Sequence, residues 1–234
     1  MRFALTKPYH DFFNENKFIE LEGLLSPAQV ETLNSAIDQE LASRLKIAKA
    51  DIEGCSFGKT FTSGHDLWRH STEIKKIACR MPLAEIAHQL TEEKPLRLAF
   101  DQVFCTGVKR SRHLHGLAPF AHLMGEEGLS LSQMSGFHGI VCGLILCLSK
   151  ATEKEENTVF PTQVGNGTFI HPEAPIPLQQ LLTVPNHRFL LIAYCKKETM
   201  YTLNEADPHT HDLKRLGYAF GDKLRESTHP IVYK

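Results

Sequence analysis

The pair His171-Pro-Glu173 has a spacing that would let both side chains share one metal ion. Two more histidines, His209 and His211, follow about forty residues later. Two imidazoles and one carboxylate can hold a divalent metal such as iron and leave positions open for other ligands. The set His171, Glu173 and His209 or His211 is therefore one hypothesis for a metal site. In the competing interpretation His171 ends a strand, the prolines around it mark a loop, and Glu173 is solvated.

A second histidine-rich stretch gives a similar choice. His113-Leu-His115 places two imidazoles on the same side of an extended segment, as metal ligands often are. Together with His122 or His138 they could bind zinc or iron, and a polar loop over a sheet is the alternative. Residues 209–212 (HTHD) have the same spacing and the same two interpretations.

The sequence contains no other recognisable catalytic motif. It has no phosphate-binding loop, no dinucleotide fingerprint and no nucleophile elbow around a serine. Cys195 follows an apolar run; a nucleophile with a spatially near histidine is one interpretation, but a lone cysteine at a strand end is far more often simply packed. The six cysteines form no CxxC pair, and two of them lie inside apolar runs, which predicts reduced and packed thiols.

The composition limits the classes of partner. The chain has 234 residues and a net charge of -1, so its bulk charge does not attract nucleic acid or anionic lipid. A short basic stretch at residues 109–113 is interpreted as a solvated loop. No run of about 20 apolar residues exists, so no membrane span is predicted. The first residues lack a long apolar core, and we therefore expect no signal peptide and a cytoplasmic location.

The elements that must position these side chains fall into two groups. Ser26, Pro27 and Gln29 have the types and spacing of a capped helix start, and an apolar stripe at three- and four-residue steps follows to Leu45. Two more helices are predicted between Trp68 and residue 90, the second of them starting near a proline. Strand-like segments then follow residue 96, separated by glycine and proline turns. These segments are 96–104, 129–134, 139–148, 158–160, 167–170, 188–195, 199–203 and 215–220.

The pattern of helices first and many short strands later predicts one domain, 1–234, with residues 1–95 mainly helical and 96–234 mainly β. The expected architecture is an antiparallel sandwich or jelly roll with helices packed on one face.

Several segments resemble the phytanoyl-CoA dioxygenase-like proteins of the Fe(II)/2-oxoglutarate oxygenase superfamily. Residues 18–33 (FIELEGLLSPAQVETL) are similar to the opening strand and helix of that family, and residues 66–68 (DLW) to its middle. Residues 96–104, 141–148 and 189–194 are similar to its barrel strands. The resemblance implies an α+β, mainly β fold: a double-stranded β-helix (a cupin-like jelly roll) with N-terminal helices packed on one face.

The resemblance also implies a site, which this sequence does not supply in the expected places. The family holds Fe(II) with a His-x-Asp/Glu pair between the strands that residues 96–104 and 141–148 resemble, and with a later histidine. None of the four histidines between residues 105 and 141 has an acid two positions later, and residues 195–201 contain no histidine. Only the basic residue that would bind 2-oxoglutarate has a counterpart, as Arg215 or Lys214.

Three functional hypotheses follow. The first is a binding protein with a degenerate metal triad that does not hydroxylate by the family mechanism and that binds a small molecule or a protein in its barrel. No cofactor is then expected. The second is an active dioxygenase with rearranged ligands, using Fe(II) and 2-oxoglutarate. The third is a metal-responsive regulatory protein; no helix with a basic face points to DNA, so binding to nucleic acid is not expected.

Overall fold

The structure, a computed structural model, describes residues 5–106, 128–149, 158–183 and 187–234. The helices are α1 (Lys7–Asn16), α2 (Pro27–Leu45), α3 (Phe57–Ser63), α4 (Thr72–Ala78), α5 (Met81–Thr91), α6 (Leu131–Met134) and α7 (Leu178–Thr183). The strands are β1 (Phe18–Leu21), β2 (Leu96–Cys105), β3 (Leu129–Ser130), β4 (Phe137–Cys147), β5 (Gly167–Ile170), β6 (Pro175–Ile176), β7 (Arg188–Tyr201) and β8 (Ile231–Tyr233).

Helix α2 begins where its sequence predicts. The Ser26 hydroxyl accepts from the amide of Gln29 over 3.3 Å, and the Gln29 side chain accepts from the amide of Ser26 over 2.9 Å. This reciprocal capping satisfies two of the backbone donors that a helix start leaves free. The predicted apolar stripe is buried at Val30, Leu33 and two further positions. Sequence therefore sets both where α2 begins and which face it buries.

The strands form two antiparallel sheets. The large sheet has the order β1-β5-β4-β7-β2-β8, and the small sheet pairs β3 with β6. Strand β7 pairs along most of its length with both β4 and β2, which makes it the centre of the large sheet. The chain is thus a mixed helix and strand protein built on an antiparallel sheet.

Each face of the large sheet carries an apolar core. On one face, side chains of β2, β4 and β7 such as Leu98, Leu144 and Ile192 pack against helices α2, α4 and α5. On the other face, which we call the inner face, neighbouring side chains pack against α3, α6, α7 and the residues around Leu213. Because both faces are covered, all ten residues of β2 are buried.

The structure corrects four of the strand predictions, the first of which is the segment 158–160, where no strand forms. Residues 188–195 and 199–203 were predicted as separate strands, but a single strand, β7, runs from Arg188 to Tyr201. Only Leu129 and Ser130 of the segment 129–134 are extended, because Ser130 caps the one-turn helix α6. The segment 215–220 is not a strand: a 3-10 helix covers Asp212–Leu216 and ends at Gly217, which has a φ of 76°.

All six cysteines are free thiols, as predicted, and four of them are buried. Burial raises the pKa of the Cys147 thiol to about 11 and that of Cys195 to about 12. Such thiols are protonated at neutral pH and unreactive as nucleophiles, so Cys195 is a packing residue. Within the described residues, no helix is both long and apolar enough to cross a membrane.

Candidate functional site

Three side chains with metal-binding chemistry meet next to the inner face of the sheet. They are His65, His209 and Asp212, and one potential ligand atom from each lies within 4.8 Å of the other two. We call them the His–His–Asp cluster. It is the one such group of three among the residues that the structure describes.

Backbone pairing holds His65 at the edge of the large sheet. Residues 64–66 run antiparallel to β2, with His65 opposite Gln102. The amide of Val103 donates to the carbonyl of Gly64 over 2.8 Å. A Cβ atom on Gly64 would lie only 3.0 Å from the Cβ of Val103, so this close approach needs a glycine. The short pairing places the His65 ring beside the inner face.

Two charged side chains fix the backbone on either side of His65. Arg44, in the last turn of α2, donates to the carbonyls of Ser63, His65 and Asp66 over 2.6–3.1 Å. Asp66 adopts a left-handed conformation with a φ of 54°, and its carboxylate accepts from the indole of Trp68 over 3.0 Å. Left-handed backbone is costly for most residues and is tolerated by aspartate, whose side chain can bond locally.

A loop after β7 supplies His209. The Asp207 carboxylate accepts from the amides of His209 (2.8 Å) and Gly136 (2.7 Å), which ties the loop to the start of β4. The Tyr201 hydroxyl donates to the carbonyl of Thr210. Burial raises the pKa of Asp207. These bonds place the His209 ring, 8 % exposed, over the inner core.

The two imidazoles stack face to face. The His65 and His209 ring centroids lie 4.1 Å apart with 6° between the planes. Phe100 lies 5.2 Å from His65, and Phe61 lies 5.9 Å from His209. Asp212 approaches from the more open side, where its Oδ2 lies 3.1 Å from Nδ1 of His209. The cluster is therefore apolar on its inner side and reachable beside the Asp212 carboxylate, which is 38 % exposed.

Burial and neighbouring charges set the protonation states of the cluster. Burial lowers the pKa of His65 well below its usual value, and a charge on His209 would lower it further. The hydrogen bond from His209 lowers the pKa of Asp212. At neutral pH the cluster therefore contains a neutral His65 and an ionised carboxylate, which are the states in which these side chains bind metals.

The predicted pair His171 and Glu173 does not join this cluster. The Glu173 amide donates to Nδ1 of His171 over 3.3 Å, and the Glu173 carboxylate, 73 % exposed, lies 3.8 Å from the same nitrogen. Burial lowers the pKa of His171, which lies against Phe13. In the described parts of the chain, the pair belongs to no group of three potential ligands.

The other predicted residues follow β7. Of the histidine pair, His209 belongs to the cluster, whereas His211 is exposed and lies against Phe220. Arg215, the predicted 2-oxoglutarate-binding residue, is 85 % exposed on its side chain, and its guanidinium lies 3.8 Å from Asp212. The segment 195–201, where the resemblance leads one to expect the later histidine, is part of β7. The first histidine after this strand is His209.

Of the remaining histidine candidates, the structure describes only His138. His113, His115 and His122 lie outside the described residues. His138 lies near the start of β4 with its side chain exposed.

Sequence reasoning missed His65 and Asp212 as partners of His209. His65 directly precedes the segment 66–68, which was singled out for its resemblance, but nothing in the local sequence links it to a residue 144 positions later. Asp212 follows His209 by three positions, and a turn closed by the Asp212 amide on the His209 carbonyl over 2.8 Å brings the two together. The spacing of three is the one local signal for this contact.

The inner face of the three central strands is apolar. Large hydrophobic side chains such as Phe104, Ile145 and Leu191 are fully buried there. The ionisable side chains in this set are the thiols of Cys147 and Cys195 and the phenol of Tyr201. The set is Ala99, Phe100 and Phe104 of β2, Phe137, Ile140, Ile145 and Cys147 of β4, and Phe189, Leu191, Ala193, Cys195 and Tyr201 of β7.

Neither a known protein family nor a curated protein matches the sequence. Solved structures do match. SnoK, a non-haem alpha-ketoglutarate dependent carbocyclase from nogalamycin biosynthesis, is 13 % identical with a TM-score of 0.65, over 97 % of this chain and 96 % of that chain. The epimerase SnoN in complex with Fe3+, alpha ketoglutarate and nogalamycin RO is 14 % identical with a TM-score of 0.64, over 97 % and 98 %. CytC3 is 14 % identical with a TM-score of 0.55, over 97 % and 88 %. The chain therefore shares the fold of non-haem alpha-ketoglutarate-dependent enzymes such as SnoK and SnoN.

Proposed function

We propose that this chain is a divergent, cytoplasmic relative of the phytanoyl-CoA dioxygenase-like proteins, with a double-stranded β-helix. It does not hydroxylate by the family mechanism and serves instead as a binding protein for a small molecule or a protein partner. The observation that carries the proposal is the apolar inner face of β2, β4 and β7, which these strands line with hydrophobic side chains such as Phe189 and Leu191; the His–His–Asp cluster beside it comes from residues outside the three strands.

The reason is chemical. Fe(II) in such enzymes needs two imidazoles and a carboxylate, and 2-oxoglutarate needs a cation for its far carboxylate. On the inner face, side chains such as Phe189 and Leu191 fill the space in which polar ligands would be required. The sequence supplies no His-x-Asp pair at all, and its one His-x-Glu pair, His171 and Glu173, lies apart from any third ligand among the described residues.

A groove at one end of β4 and β7 supports a binding role. It encloses about 730 Å³ and is lined by polar side chains that include Ser132, His138, Lys196 and Asn204. The register of β4 against β7 shifts beside it, where Gly139 has a φ of 125°. Such irregularities commonly adjoin binding sites. A small polar molecule is the kind of ligand that this lining suits.

The test is turnover of 2-oxoglutarate. The purified protein, supplied with Fe(II), ascorbate and 2-oxoglutarate under air, is expected to release no succinate above a protein-free control. SnoN, whose structure contains Fe3+ and alpha ketoglutarate, is a suitable positive control. Succinate release that depends on both Fe(II) and 2-oxoglutarate would overturn the proposal and establish the competing hypothesis, an active dioxygenase with rearranged ligands.

The same assay separates the ligand hypotheses if turnover is found. Replacing His171 with alanine should abolish succinate release if His171 and Glu173 hold the iron. Replacing Arg215 with alanine should weaken 2-oxoglutarate binding if that guanidinium binds its carboxylate. Unchanged activity in both variants would reject both assignments.

A further inference from the structure

We propose that the His–His–Asp cluster binds one divalent transition-metal ion, with Nδ1 of His65 and Nε2 of His209 as imidazole ligands and with Asp212 as the carboxylate that accepts from Nδ1 of His209 and orients that ring. The inference goes beyond the proposed function because it requires neither 2-oxoglutarate nor turnover. His65 and Asp212 lie at none of the positions that the family resemblance assigns to iron, whereas His209 is the first histidine after β7.

Two buried nitrogens of the cluster have no hydrogen-bond partner among the described residues. Nδ1 of His65 and Nε2 of His209 are both shielded from solvent and make no hydrogen bond among the described residues. Buried polar atoms are nearly always satisfied, and exceptions commonly mark a missing water, ion or ligand. Here the two exceptions belong to rings that stack on each other.

The hydrogen bonds around Gln102 locate the proton on the His65 ring. Gln102 makes a side-chain hydrogen bond with His65. The Gln102 amide nitrogen already donates to the carbonyls of Phe61 (2.9 Å) and Val103 (3.0 Å), so its oxygen is left to accept from the ring. Since Nδ1 is the unpartnered nitrogen, the proton resides on Nε2 and Nδ1 carries a free lone pair.

The same arrangement recurs at His209. Its Nδ1 lies 3.1 Å from Oδ2 of Asp212, to which it donates, and this leaves the lone pair on the unpartnered Nε2. Metal-binding histidines typically donate their second ring N–H to a carboxylate or carbonyl, which fixes the tautomer and orients the ring. Both histidines of the cluster have this support in place.

The donor set decides which metals fit. Imidazole ligands suit Zn²⁺, Fe²⁺, Co²⁺ or Ni²⁺, whereas Mg²⁺ and Ca²⁺ require oxygen ligands. Imidazole nitrogens about 2.0–2.1 Å from one ion lie at most about 4 Å apart, so Nδ1 of His65 and Nε2 of His209 must lie within that distance of each other when the ion is bound. The two rings are parallel, so one must also turn until both lone pairs point at the ion.

The experiment uses Co²⁺ as a spectroscopic probe of the metal-stripped, full-length protein, without 2-oxoglutarate. One Co²⁺ per chain is expected, with visible absorption bands of a nitrogen and oxygen site and with displacement by Zn²⁺. Each of the variants His65→Gln, His209→Gln and Asp212→Asn should weaken binding by about 10–100-fold. The matched controls His211→Gln and His171→Gln should bind as the wild type does.

A readout on the wild type guards against variants that fail to fold. Co²⁺ is paramagnetic, so the ring resonances of His65 and His209 should shift or broaden before those of the other histidines. The inference is overturned if no Co²⁺ binds, if the control variants weaken binding equally, or if other histidines respond first. Metal binding without succinate release would support this inference and the proposed function together.

Discussion

The hydroxyl of Tyr194 should destabilise the protein, and removing it should raise the free energy of unfolding. Tyr194 lies in the middle of β7, is 0 % exposed, and its hydroxyl has no hydrogen-bond partner among the described residues. Burying an unpaired hydroxyl costs about 1–3 kcal/mol. The small void left by its removal is destabilising and offsets a few tenths of a kcal/mol of the gain. We therefore expect Tyr194→Phe to stabilise the protein by about 1 kcal/mol.

A second tyrosine on the same strand provides the matched control. Tyr201 is equally buried, but its hydroxyl donates to the carbonyl of Thr210. Tyr201→Phe leaves that carbonyl unpaired and should cost about 1–2 kcal/mol. The two variants remove the same atom from one strand, and the structure predicts opposite signs.

Urea unfolding followed by circular dichroism measures both changes. For a chain of this size, 1 kcal/mol corresponds to roughly 2–4 °C in Tm, so thermal melts should show the same signs. Should Tyr194→Phe lower the unfolding free energy as much as Tyr201→Phe does, the Tyr194 hydroxyl must be satisfied, and the reasoning from its unpaired burial fails.

Two further predictions concern a buried carboxyl and a tightly packed glycine. Burial, together with the charge of Asp66, raises the pKa of Asp101 to about 7, from about 3.9 in the unfolded chain. The stability that protonated Asp101 contributes is therefore complete below pH 4 and is lost as the pH rises towards 7. Because the asparagine does not titrate, the wild type should lose up to about 4 kcal/mol of unfolding free energy relative to Asp101→Asn between pH 4 and pH 8, at about 1.4 kcal/mol per pKa unit. A difference between the two proteins that stays constant in urea titrations across this range would contradict the prediction. A methyl group on Gly143 would lie 2.6 Å from Leu131 and 2.8 Å from Ile170, so Gly143→Ala should cost about 1–3 kcal/mol in the same assay. Gly54→Ala meets no atom within 4 Å and should change stability by less than about 0.5 kcal/mol; equal effects would refute the packing argument.

The sequence predicts those parts of the fold that local signals determine. Helix α2 follows from Ser26 and Gln29 at its start and from the apolar stripe behind them. Helix α5 starts next to Pro82, as the proline predicts, and β2 lies within two residues of its predicted bounds. In each case the physical cause lies within a few neighbouring residues, so no knowledge of distant contacts is needed.

The site could not be predicted in the same way. His65 reaches His209 only because residues 64–66 pair with the edge of β2 and because Asp207 holds the loop after β7 against Gly136. These are contacts between residues far apart in sequence, and a single sequence contains no local signal for them. Of the predicted ligands His171, Glu173, His209 and His211, the structure brings only His209 into a cluster, and which of them bind metal stays a prediction.

The strand order has a consequence for how the chain is made. Strand β1 pairs with β5, with Phe18 opposite Ile170, and β2 pairs with β7. Each of these early strands therefore pairs with a strand that lies about 90–150 residues later in the chain. At about 5–20 residues per second on the ribosome, these strands emerge roughly 5–30 s before their partners. Such unpaired edges invite aggregation, and the newborn chain is therefore a natural client for chaperones that shield apolar segments during synthesis.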